Sequence, residues 1–256
     1  MSDYWKDRMA NAQNTLTNKS VKQIEKQMKR YYSKTMNHII TEFEATYNKL
    51  LTTVGEGKQP TPADLYKLDK YWQMQGQLRQ QLQNLGDKQI SALSKQFENN
   101  FFDVYHSIDI QGLEAFNTLD TETVQQLINS VWVADGKNWS QRIWDNTDLL
   151  AATLNEELIT CVAAGKKTTE LKKILKERFN VSYSRADALA RTELARIQTQ
   201  AAQKRYKDYG ISEMEVWADK DERRCDVCGK LHKKRYPIGV QPPIPAHPFA
   251  VAALFQ

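Results

Sequence analysis

The sequence has few cysteines and lacks long apolar runs. Its 256 residues include three cysteines, too few for a disulfide framework and typical of a protein kept in a reducing compartment. The N-terminal segment, Met1 to Arg8, lacks the apolar centre of a signal peptide. No apolar run approaches the ~20 residues needed to span a bilayer. We therefore expect a soluble protein that is made in the cytoplasm and has no membrane partner.

Proline and glycine are also scarce. The chain has seven prolines and ten glycines, and five of the prolines fall within residues 237–248. The long stretch before them is therefore free to form helices. A hydrophobic content of 41% suffices for a core, and a net charge of +5 permits contact with nucleic acid without implying it.

Residues 1–112 are predicted to form long amphipathic helices, because apolar residues recur three or four positions apart. Gly55 to Gly57 breaks the first helix, and Thr61 is expected to cap the second together with Asp64. We expect the second helix to stop near Gly86 and a third to follow it. The pattern predicts an elongated antiparallel bundle.

Residues 113–210 are predicted to form shorter helices and a helical core. Asp120 is expected to cap one helix, and Gly165 to end another in the left-handed conformation. Ser184 is expected to open the last long helix, which would end at Gly210. These patterns define a second predicted domain.

Two groups in this domain raise the question of chemistry. Cys161 stands alone on an apolar face, which favours a buried thiol over a nucleophile. Glu193 and Arg196 are spaced to pair on one helix face. A catalytic Arg191-Thr192-Glu193 is the alternative, but no partner acid or base is identifiable nearby. We therefore expect no enzymatic activity and no small-molecule substrate.

Residues 211–256 are predicted to form a small β module. Residues 211–218 alternate in polarity, which is typical of a strand, and residues 233–236 could pair with it. The predicted fold class is thus mainly α, with a helical bundle, a helical core and a C-terminal β module that carries a Cys-x-x-Cys knuckle.

The knuckle is a candidate metal site. Cys225 and Cys228, followed by Gly229, are expected to form a tight turn that aims two sulfurs at one point, as structural zinc requires. His232 and His247 are the nearest further ligands, so the set would be Cys₂His₂. A reduced, metal-free pair and a redox or disulfide pair remain as alternatives.

Basic residues beside the knuckle suggest a second function. They are Lys230, Lys233, Lys234 and Arg235. A DNA-binding surface is one interpretation of this cluster, and a solvated hairpin face is the other.

Five motifs occur together and in a fixed order: Gly136 to Trp144, Ala190 to Glu193, Trp217, Asp221 to Cys228, and Pro242 to Pro248. Over roughly residues 113–248 the chain resembles the Mu F family of phage minor head, or head morphogenesis, proteins. The resemblance implies a minor capsid protein with the portal and other head proteins as partners. It also implies a role in head assembly and in DNA packaging or ejection, first in the host cytoplasm and then inside the virion. Since related head proteins can carry appended domains, a delivered toxin or enzyme remnant is a further alternative.

The tail departs from the family pattern. Family members usually continue after His-Pro with one residue and then Cys-Arg-Cys, whereas this chain continues Phe249-Ala250-Val251-Ala252. A one-base deletion in the gene would explain the change, because both alanines can conceal a cysteine codon in the shifted frame. A remnant of a protease-cleavage tag is the rival explanation, since the chain ends in Ala-Leu-Phe-Gln. Either way, a site with three or four cysteines is in doubt.

Overall fold

The computed structural model describes residues 3–110, 119–218, 226–240 and 252–255. This part of the chain is mainly helical, as predicted. The elements in chain order are α1 (Asp3–Val54), α2 (Pro62–Tyr66), α3 (Asp69–Ser107), α4 (Thr121–Ile128), α5 (Trp139–Ala163), α6 (Thr168–Asp208), β1 (Glu213–Ala218), α7 (Asp226–Leu231), β2 (Arg235–Pro237) and β3 (Ala252–Phe255). Among these helices none combines the length and the apolar composition that crossing a bilayer requires.

The chain forms two compact units, each assembled from segments that are distant in sequence. The first unit consists of Met1–Glu25, Ala92–Trp139 and Asp187–Gln256. The second consists of Lys26–Ser91 and Ser140–Ala186. The predicted domain boundaries near residues 112 and 210 stay predictions.

The core of the first unit combines apolar side chains with buried polar pairs. The amide of Asn100 in α3 donates to Ser20 in α1, and Thr17 in α1 donates to Gln198 in α6. Trp139 meets Phe97 edge to face, with ring centroids 5.2 Å apart. The buried apolar residues around them include Phe101, Val104, Val124, Ile128, Leu194, Ile197 and Ala201.

The second unit also buries both apolar and polar groups. Asn146 in α5 donates to the hydroxyl of Tyr32 in α1 and to the backbone oxygen of Ser182 in α6. Tyr47 donates to the carbonyl of Lys166, just beyond the end of α5. The surrounding apolar core includes Ile39, Phe43, Leu50, Leu65, Met74, Leu78, Leu82, Leu154, Leu158, Leu171 and Phe179.

Helix ends follow local sequence where a cap or a left-handed residue is available. Thr61 forms a reciprocal capping box with Asp64, and Asp120 accepts from the backbone N–H of Thr123. Gly165 and Gly210 have φ angles of 60° and 73°, a region that glycine adopts without steric cost. These four predicted helix ends, at Thr61, Asp120, Gly165 and Gly210, are confirmed.

The strands form one small sheet in the first unit, in the order β2-β1-β3. Strand β1 pairs antiparallel with β2, with Met214 opposite Tyr236. It also pairs antiparallel with β3, with Val216 opposite Leu254. Residues 252–255 of the tail therefore form one of the two edge strands, β3.

Two predicted helix boundaries are wrong. Helix α3 runs through Gly86, and α6 runs through Ser184. The hydroxyl of Ser184 donates to the carbonyl of Asn180 one turn earlier, so this side chain bonds within a continuous helix instead of capping a new one.

Gly86 is needed for packing and not for a turn. A Cβ placed there would lie 2.4 Å from the ring of Trp144 in α5. Trp144 belongs to the Gly136-to-Trp144 motif, so part of that motif serves to bring α5 against α3 within the second unit. The glycine allows the indole to lie directly on the helix backbone.

Replacing Gly86 with alanine should therefore destabilise the protein. Gly76, in the same helix, has no atom within 4 Å of an added Cβ and is the matched control. Both changes gain about 1 kcal/mol of helix propensity, but only Gly86→Ala overpacks, at a cost of about 1–3 kcal/mol. Urea denaturation should show Gly86→Ala less stable than Gly76→Ala by that difference. Equal stability of the two variants would contradict the packing account.

Candidate functional site

The Ala190-to-Glu193 motif lies on α6 and leads into a buried polar cluster. The Nε of Arg196 donates to Oε2 of Glu193 over 2.7 Å. The indole N–H of Trp132 donates to Oε1 of the same carboxylate over 2.9 Å. Both Glu193 and Arg196 are almost fully buried. The predicted pair is thus present, and each carboxylate oxygen already has a donor.

The rest of the Arg196 guanidinium binds the end of α4. Its Nη2 donates to the carbonyl of Ile128 over 2.6 Å, and its Nη1 donates to the carbonyl of Leu127 over 3.2 Å. Nη1 also donates to the hydroxyl of Ser130. The last carbonyls of a helix have no partner within the helix and carry partial negative charge. The positively charged Arg196 donates hydrogen bonds to two of these carbonyls.

These contacts assign a structural role to the pair. A buried ion pair is stable only when its remaining donors and acceptors are satisfied. Here the donors of Arg196 point to protein oxygens and the carboxylate of Glu193 is shared with Trp132. The buried Glu193–Arg196 cluster therefore holds α4 and the segment up to Trp132 against α6.

Sequence reasoning missed Trp132 and Ser130. The one available signal was that a buried tryptophan N–H usually needs an acceptor. That rule does not identify the acceptor, because Trp132 and Glu193 are 61 positions apart and no helix or strand period relates them.

Arg191, the arginine within the Ala190-to-Glu193 motif, lies in a different environment from Arg196. Its Nε donates to Asp187 over 2.7 Å, and its Nη2 lies 3.4 Å from Glu25. The side chain is one-third exposed. Arg191 and Arg196 therefore contact different groups and serve different faces of α6.

The single cysteine of the helical core behaves as expected. Cys161 is fully buried and free. Burial raises the pKa of its thiol above the ordinary value, which suppresses the nucleophilic thiolate. The prediction of a buried structural thiol is confirmed.

A second polar cluster closes the end of α6, where the chain turns toward the sheet. The hydroxyl of Tyr105 donates to the buried carboxylate of Asp208 over 2.6 Å. Arg205 lies over the rings of Tyr105 and Tyr209, at 4.8 and 4.5 Å from their centroids. Its Nε donates to the carbonyl of Ile108, just beyond α3. These contacts fix the position from which β1 begins.

The candidate metal ligands are only partly visible. Cys225 and His247 lie outside the described residues. Cys228 lies within helix α7, so the tight turn predicted there is instead helical. The backbone N–H of His232 donates to the carbonyl of Gly229 in that helix. Within the described ranges no three histidine, cysteine or acidic side chains are grouped as metal ligands.

The basic residues next to α7 are exposed. Lys230 is in α7, and Lys233 adopts a φ of 63° in the connection to β2. The backbone N–H of Lys233 donates to Val216 over 2.7 Å, which joins this connection to β1. Arg235 lies 3.4 Å from Glu215, so part of its charge is offset.

Comparison with known families supports the resemblance seen in the motifs. The model of the family described as Phage Mu protein F like protein matches residues 152–249. Over this segment the chain is similar to that family. The matched segment includes Glu193, Arg196 and strand β1, whereas Trp132 precedes it.

A curated relative carries a different name. NAD(+)--arginine ADP-ribosyltransferase EFV from Enterococcus faecalis (strain ATCC 700802 / V583) is 29% identical over 147 residues. The aligned region covers 54% of this chain and 30% of the relative. The chain thus spans less than a third of that protein's length. No solved structure matches the chain.

The buried Glu193–Arg196 cluster should dominate local stability. Arg196→Ala leaves the carboxylate of Glu193 and the α4 carbonyls unpaired, which should cost about 3–5 kcal/mol. Arg191→Ala, on the exposed face of the same helix, should cost about 1 kcal/mol or less. Urea denaturation followed by circular dichroism measures both. If the two variants lose similar amounts of unfolding free energy, the burial of Arg196 does not determine how much it stabilises the protein.

Proposed function

We propose that this chain is a minor head protein that acts in phage head assembly, associated with the portal and the head interior. The single observation that carries the proposal is the Mu F-like match over residues 152–249. The match supports a head morphogenesis role, and the portal, DNA packaging and ejection are the finer parts of the proposal. Other head proteins are the proposed partners, first in the host cytoplasm and then in the virion.

The geometry of the motif residues is compatible with a protein that works through contacts. Glu193 and Arg196 are buried and fully engaged with protein groups. Their contribution is therefore to shape the first unit, while its partners must meet the exposed surface. We propose on this basis that the chain itself is not an enzyme.

The assembly role predicts a defect in particles that lack the chain. Inactivating its reading frame in the phage should reduce infectious particles and leave aberrant heads in electron micrographs. Mass spectrometry of purified wild-type heads should detect the chain at low copy number, and tagged chain should co-purify the portal protein. Infectious particles of normal yield without the chain would refute the role in assembly. Heads that contain the chain without portal co-purification would refute only the portal contact.

A structural zinc held by Cys225 and Cys228, with His232 and His247 as further ligands, remains a proposal. It rests on the Cys-x-x-Cys spacing in the sequence. Zinc would add folding energy to the C-terminal module when bound. Metal analysis of the purified chain tests it, and a zinc content that is unchanged in the Cys225→Ser, Cys228→Ser variant would exclude these ligands.

DNA binding is the second candidate function, favoured by the exposure of Lys230, Lys233 and Lys234 on one small module. Each phosphate contact that is lost should reduce the slope of log affinity against log salt by about 1. We expect duplex DNA to bind less tightly, and with a shallower salt slope, after Lys233→Gln and Lys234→Gln. Lys176→Gln, on exposed α6, is the matched control. If the slope of log affinity against log salt is the same for all variants, these lysines do not contact DNA and form a solvated surface.

The name of the curated relative raises a third candidate, a virion-delivered toxin or enzyme remnant. ADP-ribosylation of arginine is the activity in that protein's name, and the chain aligns with 30% of its length. Incubation with labelled NAD⁺ and free arginine tests the possibility directly. Transfer of label by the purified chain would overturn the proposal that it is not an enzyme.

A further inference from the structure

We propose that a groove between α5 and α6 in the second unit is a docking site for an acidic amphipathic helix of a partner protein. This proposal extends the proposed assembly role. It rests on that role only in taking the partner to be another head protein. It rests on the shape, the exposed apolar surface and the charge of the groove.

The groove is built from two matching helical stripes. On α5 its lining begins at Asn146 and ends at Thr153, and on α6 it begins at Arg178 and ends at Arg185. Each stripe uses positions i, i+3, i+4 and i+7, which share one face over two turns. Two such stripes side by side form the kind of shallow trough in which a third helix can lie.

Apolar side chains form the middle of the groove. Leu150 is buried at its base, whereas Leu149 and Val181 on its two sides are 48% and 46% exposed. Seven large apolar side chains of the described residues are exposed, and these two lie in the same groove. Isolated apolar residues on a surface need no explanation, but adjacent ones around a concave surface are typical of interaction sites.

The charge of the groove selects the partner. Its two charged residues, Arg178 and Arg185, are both cationic. They are seven residues apart on α6, a separation of about 10.5 Å along the axis. Arg178 already pairs with Glu157, with its Nε 2.8 Å from the carboxylate, so its charge is offset within the chain. Arg185 makes no hydrogen bond or ion pair within the described part of the chain. Its guanidinium is open to a carboxylate from outside, which it can bind through two hydrogen bonds.

These features together favour a protein helix over nucleic acid. Phosphates would pair with the arginines but would leave Leu149 and Val181 exposed to a charged backbone. A helix with apolar residues three or four apart and a carboxylate beside this stripe matches both the apolar middle and the open guanidinium of Arg185.

A displayed library of helical peptides tests the proposal on the full-length chain. Selection should enrich peptides that combine an apolar stripe with an acidic residue placed to meet Arg185. The best peptide, labelled and measured by fluorescence anisotropy, should bind at least tenfold more weakly to Arg185→Glu and to Val181→Asp. Lys176→Glu, a nearby exposed position outside the groove, is the control and should bind normally.

A second experiment exchanges the charges of the peptide and of residue Arg185. A version of the peptide with lysine in place of the glutamate that faces Arg185 should bind Arg185→Glu better than the wild-type chain. Enrichment of basic or neutral peptides, or affinities that neither groove variant changes, would overturn the proposal. Loss of duplex DNA binding in Arg185→Glu, with no peptide effect, would assign the groove to nucleic acid. The peptide assay uses the purified chain, whereas the assembly role is tested by the yield of phage particles. A negative result in one test therefore leaves the other test unaffected.

Discussion

The fold of the first unit depends on one buried cation. Arg196 lies in a helix interior where a charge would be costly if any of its donors lacked a partner. Its partners come from Glu193 on the same helix and from the last carbonyls of α4. A helix of eight residues such as α4 has little stability of its own. Its position therefore depends on tertiary contacts, which include the bonds from Arg196 and the burial of Val124 and Ile128.

The same observation indicates that residues in and beside the motifs of the family resemblance have a structural role. Glu193 and Arg196 serve the interior of the first unit, and Trp144 of another motif covers Gly86 in the second. Such residues preserve a scaffold and say little about chemistry. Among the described residues, two candidate surfaces for function are the exposed basic residues beside α7 and the groove between α5 and α6. A protein that assembles with others needs surfaces of this kind.

Local signals in the sequence predicted much of the fold, and tertiary packing explains the failures. Thr61, Asp120, Gly165 and Gly210 act through their own backbone or a neighbour within one turn, so their roles are visible in sequence. Gly86 failed as a helix end because its reason lies in a tryptophan from another helix. Trp132 was missed for the same reason, since its acceptor is 61 positions away. The Cys-x-x-Cys site depends on a tail that departs from the family pattern, so its ligands could not be settled from spacing alone.

The coupling between Glu193 and Arg196 tests the central claim most directly. A double-mutant cycle with Glu193→Ala, Arg196→Ala and the double variant isolates their interaction in the free energy of unfolding. If the pair is the buried structural contact described above, the coupling should be about 1.5–3 kcal/mol, in the upper part of the range for residues in one network. A coupling below about 0.5 kcal/mol, the level expected for independent sites, would contradict the claim that the first unit depends on this pair.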